Sequence, residues 1–254
     1  MQQTNRSRHR HITSFQVISL GFLSAILLGS LLLMLPIATK SGQCTSFLDA
    51  LFTATSAVCV TGLVVNDTAT YWSLFGQGVI LLLIQIGGMG IITIAIAIAV
   101  VSGRKIGLMQ RSTMQEAISA PTVGGIVRRT QFIIRTTILI EIIGAVLLAP
   151  VFCRDFGFWK GIWYSLFHSI SAFCNAGFDL IGIRTPFSSL TSYSVQPIVN
   201  LVIMMLIIAG GIGFLTWEDI KNRKWHFKKY RMQSKVIFMV TGILIFLPAL
   251  YFFI

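Results

Sequence analysis

Charge is what this sequence has least of. Only 11% of its 254 residues are charged and only eight are acidic, whereas soluble domains carry roughly 25% charged residues. A soluble enzyme is thereby excluded. Cysteine is scarce too: Cys44, Cys59, Cys153 and Cys174 show neither metal-ligand spacing nor the density of a disulfide framework. Cys44 and Cys153 fall on the same side in the topology derived below, but free thiols are the expected state. No GxSxG elbow or HExxH zinc motif occurs, so a membrane-embedded hydrolase using His168 and a nearby serine lacks a signature. The double-glycine GYG of potassium-channel filters is also missing, which argues against a two-unit potassium channel that dimerises to four loops.

What is present is apolar residues, 55% of the chain, gathered into the runs Phe15–Leu35, Val79–Val101, Phe132–Pro150, Val195–Leu215 and Val236–Ile254. Each approaches the ~20 residues that an α-helix needs to cross ~30 Å of hydrocarbon. The first run is too long for a signal-peptide core and lacks a small-residue cleavage site. The net charge of +12 is unevenly placed. Sixteen of the twenty basic residues lie before residue 11, between Ser102 and Arg135, or between Lys221 and Lys235. By the positive-inside rule these three regions are cytoplasmic and the other connections lie outside. Trp225, Phe227 and Tyr230 interleave with cations in the last region, as interfacial anchors do, and no nucleic-acid partner is expected. Contact with membrane lipid is.

Two apolar segments, Ser46–Val58 and Trp159–Phe173, are too short to cross and read as re-entrant helices that dip in from outside. The unit is therefore span, re-entrant helix, span, and it occurs twice. SAVCVTG (Ser56–Gly62) matches SAFCNAG (Ser171–Gly177), and GGMGIIT (Gly87–Thr93) matches GGIGFLT (Gly210–Thr216). The first span of each unit is expected to end at a proline, Pro36 or Pro150, at nearly equal distances before Gly62 and Gly177. Parallel repeats of this kind are related by an axis along the membrane normal and can surround a central path. The fold class is thus an all-α integral membrane protein of tandem helix, pore loop and helix units, two complete plus the first span of a third. The divisions are 1–14, cytoplasmic N-terminus; 15–101, first unit; 102–130, basic loop; 131–217, second unit; 218–235, basic loop; and 236–254, a third-unit span containing Pro248. The chain is expected to be the front part of a longer protein.

Backbone that leaves a helix at membrane depth is tolerated where it is covered by protein or lines a cavity. Its carbonyls can replace the water shell of a cation, and the C-terminal dipole ends of the re-entrant helices favour that charge. Gly62 and Gly177 fit such a turn because glycine freely adopts positive φ. The alternative is that they are ordinary C-caps of short helices. The GGxG clusters read as packing seams.

Four polar residues admit structural and functional readings. Glu141, mid-span, is expected to bond another helix or Thr137 one turn earlier rather than line an ion path. Asp67 and Asp179 follow the two turns on the outer side, as cation-attracting carboxylates or as loop and cap residues. His168 is expected to be a hydrogen-bonded packing histidine, not a catalytic one.

TSAVCVTGL (Thr55–Leu63), SAFCNAGFDL (Ser171–Leu180), the two GGxGxxT segments and the stretch from Gly103 to Ala117 resemble the Trk/Ktr/HKT superfamily of cation transporters, its Ktr branch most closely. The resemblance runs over essentially the whole chain. It implies a multi-pass potassium-uptake subunit of the plasma (inner) membrane, with its N-terminus cytoplasmic, that is not an enzyme. It further implies four units around one pore, a homodimer, and a cytoplasmic ring of nucleotide-binding regulatory subunits. Gly62 and Gly177 become filter glycines, and the carbonyls of Cys59, Val60, Thr61, Cys174, Asn175 and Ala176 become candidate ligands for transported potassium, with sodium as a candidate co-ion. No cofactor on this chain is implied. The remaining filter segments and the family's gating loop would lie beyond Ile254, so a fragment of this length is expected to be inactive alone.

Overall fold

The computed structural model describes residues 13–90, 93, 94, 115, 126–183, 185–224 and 226–253. The cations Arg6, Arg8, Arg10, Arg104, Lys105, Arg111 and Arg184, together with Trp225, lie outside the described residues. The described chain is helical: α1 (Ser14–Leu33), α2 (Phe47–Val58), α3 (Leu74–Met89), α4 (Ile126–Phe156), α5 (Phe158–Phe173), α6 (Pro197–Gly211), α7 (Phe214–Arg223) and α8 (Met232–Phe253).

Local chemistry sets the starts. Thr13 and Gln16 form a capping box at α1, satisfying two N–H groups that the helix leaves open. Ser46 Oγ accepts from Asp49 N–H (3.1 Å) at α2, and Ser73 Oγ accepts from Gly76 N–H (3.3 Å) at α3. The short helices α2 and α5 begin within a residue of their expected positions, α5 directly after Gly157, which makes no side-chain cap bond. Backbone bonds from Lys40 N–H to the Tyr71 carbonyl (3.0 Å) and from Ser73 N–H to the Ala38 carbonyl (2.9 Å) draw the two ends of the first excursion together.

One expectation from the apolar runs holds and two need correction. After Leu33 the chain leaves the helix before Pro36, with Leu35 extended as pre-proline residues are. Pro150, in contrast, lies inside α4, which continues to Phe156 and stops at Gly157 (φ +83°). Proline removes one N–H from the ladder and crowds the carbonyl four residues earlier, and membrane helices absorb both by local adjustment. The second spans are not continuous either. α3 ends before Gly90 (φ +80°) and α6 before Gly213 (φ +78°), so each runs only about 22–24 Å at 1.5 Å per residue. α6 and α7 meet at 94°. The second apolar run of each unit is therefore broken at a glycine. Among the described residues α1, α4 and α8 are long and apolar enough to cross, and the bent α6–α7 pair is a fourth if its two helices count as one span. Residues 95–101, the far end of the expected second span, are outside the described set.

The core differs between units. α2 buries small side chains, Ala50, Ala54 and Ala57, whereas α5 buries Phe167 and His168 among Phe152, Tyr164 and Tyr193. Gly161 lets α5 lie close on α4: a methyl group there would sit 2.3 Å from Cys153 Cα. The apolar body of α8 is exposed along its length.

Candidate functional site

The C-terminal ends of α2 and α5 close in the same way. Val60 N–H donates to the Ala57 carbonyl (3.3 Å) and Thr61 N–H to the Ser56 carbonyl (2.9 Å). In the second unit Asn175 N–H donates to the Ala172 carbonyl (3.0 Å) and Ala176 N–H to the Ser171 carbonyl (2.8 Å). This paired pattern is a Schellman motif, which requires a left-handed residue just past the cap. That residue is Val60 in one unit and Asn175 in the other, both at φ +58°. Gly62 and Gly177 are therefore not the capping glycines. They lie two residues further on, at φ +74° and +76°, and turn the backbone a second time.

Two left-handed residues in four leave a short, twisted run of backbone. Among the described residues, none of the carbonyls of Cys59, Val60, Thr61, Cys174, Asn175 and Ala176 accepts a hydrogen bond. The two turns also meet. A methyl group on Gly62 would sit 2.5 Å from the Ala176 carbonyl oxygen, and one on Gly177 would sit 3.5 Å from Gly62 Cα. All eight predicted site residues are thus held in two facing turns.

Side chains brace these turns from behind. Thr61 Oγ1 donates to Ser56 Oγ (2.9 Å), and Ser171 Oγ donates to the Phe178 carbonyl (2.6 Å). Thr53 and His168 occupy the same repeat position and each donates to the carbonyl four residues earlier. His168 does more: Leu180 N–H donates to its Nε2 (3.3 Å), which puts the ring proton on Nδ1, bonded to the Tyr164 carbonyl (2.7 Å). It is a fully bonded packing residue that fixes the segment leaving the turn.

The GGxG clusters are seams, as their spacing suggests, and also breaks. Methyl groups on Gly87 and Gly210 would lie 2.1 Å from the Val58 carbonyl oxygen and 1.7 Å from that of Phe173, the last helical carbonyls of α2 and α5. Gly88 faces Cys174 Sγ, 2.4 Å from an added methyl. The third glycine of each cluster, Gly90 or Gly213, supplies the positive φ that ends the helix, a role that sequence spacing alone did not separate from packing.

A polar seam links the units. Asp67 is buried and accepts from Thr70 N–H (2.8 Å), Thr70 Oγ1 (2.8 Å) and Phe187 N–H (3.0 Å). Trp163 Nε1 donates to Gln77 Oε1 (2.9 Å). Gln85 Nε2 donates to both oxygens of Glu141 (2.9 and 3.2 Å), and Gln85 Oε1 faces Cys174 Sγ at 3.9 Å. Glu141 therefore bonds another helix; Thr137 is not its partner. Asp179 accepts from Ile181 N–H (2.9 Å). Burial, with the Asp67 carboxylate adding to it, holds the Asp179 carboxyl above the ordinary value of 3.8, while bonds from Ile181 and Ser189 oppose the shift. Asp67 thus ties the two units together, and Asp179 bonds the backbone of the segment that leaves the second turn.

A family model described as TrkH, cation transport protein, matches residues 2–252. The chain belongs to the TrkH family. Within it, this TrkH chain is similar to the potassium/sodium uptake protein NtpJ of Enterococcus hirae, 43% identical over 93% of this chain and 51% of that protein. It is also similar to Ktr system potassium uptake protein B of Bacillus subtilis, 46% identical over 90% of this chain and 49% of that protein. A third relative is the protein of the same description in Vibrio alginolyticus, 35% identical over 93% and 51%. The TrkH chain spans about half the length of the curated relatives it matches.

Proposed function

We propose that this chain forms part of the membrane subunit of a potassium uptake system, the ion passing between the backbone turns Cys59–Gly62 and Cys174–Gly177. One observation carries the reading: two repeat-related turns face each other, glycine to glycine, with six carbonyls that accept no hydrogen bond among the described residues. Such oxygens stand in for a cation's hydration shell. Selectivity then rests on backbone, so no catalytic side chain and no resident cofactor is required. The chain is read as a transporter component and not an enzyme. Potassium is the cargo, with sodium as a candidate co-ion, in keeping with the relatives' names. The reading further places the N-terminus in the cytoplasm and the protein in the plasma membrane, on the 16-to-4 placement of its basic residues. A homodimer and a cytoplasmic nucleotide-binding ring are the proposed partners.

The test is Gly62→Ser and Gly177→Ser in a full-length protein, with membrane abundance measured beside potassium and sodium uptake. The expected outcome is a potassium-to-sodium preference lowered by more than about tenfold in each variant, at an abundance sufficient for transport. Unchanged preference with lowered abundance would place both glycines in a purely structural role.

A further inference from the structure

A cationic recess of about 690 Å³ lies between the N-terminal part of α4 and the C-terminal part of α7, away from the two facing turns. Arg128, Arg135, Lys221 and Asn222 line it, with Thr136 and Leu139 deeper along α4. Its acid, Glu218, is already engaged: Arg129 Nε lies 3.2 Å from Oε1 and Arg231 Nη2 lies 3.0 Å from Oε2. Asp219, beside it in sequence, accepts from Arg231 N–H (3.0 Å) and Ser234 Oγ (2.7 Å). Arg128 and Arg135 have no acidic partner among the described residues. Lys221 Nζ stands 4.5 Å from the centroid of the Phe132 ring, a contact that holds the ammonium at the recess without neutralising it.

The placement of these cations along α4 identifies what would neutralise them. Arg128 and Arg135 are seven residues apart and share one helix face. The same stripe continues through Leu139, Ile142 and Val146, which are 58%, 51% and 64% exposed. No basic residue follows on α4 until Arg154. The recess therefore sits where the helix passes from a charged layer into an apolar one. A soluble partner offers charge there but nothing for the apolar stripe. An anionic phospholipid offers both, a phosphate at the arginines and an acyl chain along the stripe, and basic recesses between membrane helices bind such head groups.

We propose that this recess is a binding site for an anionic phospholipid of the phosphatidylglycerol type, its phosphate held by Arg128, Arg135 and Lys221 and one acyl chain lying along Leu139, Ile142 and Val146. The site follows from the polarity switch within α4 and does not depend on which ions cross the membrane.

The experiment is native mass spectrometry of the detergent-purified protein, incubated with phosphatidylglycerol and phosphatidylcholine of identical chains. Each cation is worth about fivefold near an anionic surface. The wild type is expected to retain one phosphatidylglycerol in preference to phosphatidylcholine, and Arg128→Gln/Arg135→Gln to weaken that retention by about 30-fold. Lys228→Gln/Lys229→Gln, which removes the same charge from the neighbouring basic stretch, should leave it unchanged. Equal retention of the two lipids by the wild type overturns the proposal without reference to any variant. So does an arginine variant that binds as before, or a lysine control that loses as much. Displacement of the lipid by millimolar inorganic phosphate would assign the recess to a soluble anion. An arginine variant that keeps its lipid but no longer captures a cytoplasmic partner protein would make it a protein-docking face.

Discussion

α3 and α6 are two copies of one element, and they meet different surroundings. On α3, Gly88 packs against Cys174 and Gln85 bonds Glu141, so the second unit covers this face. The repeat-equivalent positions on α6 are Gly211 and Ile208. A methyl group on Gly211 would meet nothing within 4 Å. Glu141 likewise corresponds in the repeat to Leu27, which is 43% exposed. A buried polar pair exists where one unit covers the other, and apolar residues stand at the equivalent uncovered positions. The lesson is that the repeat conserves the backbone turns while the side chains around them follow whatever lies against each copy.

The largest expected effect on this contrast comes from Gln85→Leu. It leaves the Glu141 carboxylate, only 4% exposed, without its donor. Leaving a buried carboxyl group without its hydrogen-bond donor costs about 3 kcal/mol, the upper end for a charged acceptor. Thermal unfolding in detergent should show a marked loss, and adding Glu141→Leu should recover most of it. A double variant no more stable than Gln85→Leu alone would mean that the pair is not what holds this seam. Smaller is the effect of Gly88→Ala, where overpacking against Cys174 should cost about 1–3 kcal/mol. Gly211→Ala in the same chain should be neutral or stabilising, since it only adds a helix-favouring methyl. If the two alanine variants melt alike, α3 and α6 are not differently covered. The relatives are about twice as long as this chain, and in a chain whose further unit covers Gly211 the two costs should converge.

The smallest effect expected is in pH dependence. Asp179 has its folded-state pKa raised, so its protonated form favours the folded state. That contribution is full below 3.8, its ordinary value, and is lost as pH rises through the raised one. Wild-type stability should fall over that window relative to Asp179→Asn, which keeps an acceptor for Ile181 N–H but does not titrate. Identical pH profiles for the two proteins would show that Asp179 is not held above its ordinary range.

The tandem units, the short apolar helices and both turns were legible in the sequence because each rests on a local signal: apolar length, a repeated stretch, a repeated glycine. Less legible was the division of labour inside the turns. Glycine marked the positive φ of Gly62 and Gly177, and Asn175 is a residue that tolerates the left-handed region. Nothing marked Val60, a β-branched residue for which φ +58° is costly and which is held there by the bonds at Ala57 and Ser56. Pro150 and Pro36 look alike in the repeat yet one is inside a helix and one outside, because a helix end also depends on the residues that follow. Pairings across the seam, Gln77 with Trp163 and Gln85 with Glu141, join residues 86 and 56 positions apart, beyond the reach of any periodic pattern.

That separation has a consequence in time. Chains emerge from the ribosome at about 5–20 residues per second, N-terminal part first. The contact of Gln85 with Cys174 spans 89 residues, so about 4–18 s pass before the second turn has even been made. Throughout that interval the first unit carries an unmatched amide and a bare glycine face. The unit that would enter the bilayer first is thus the one that cannot finish folding first.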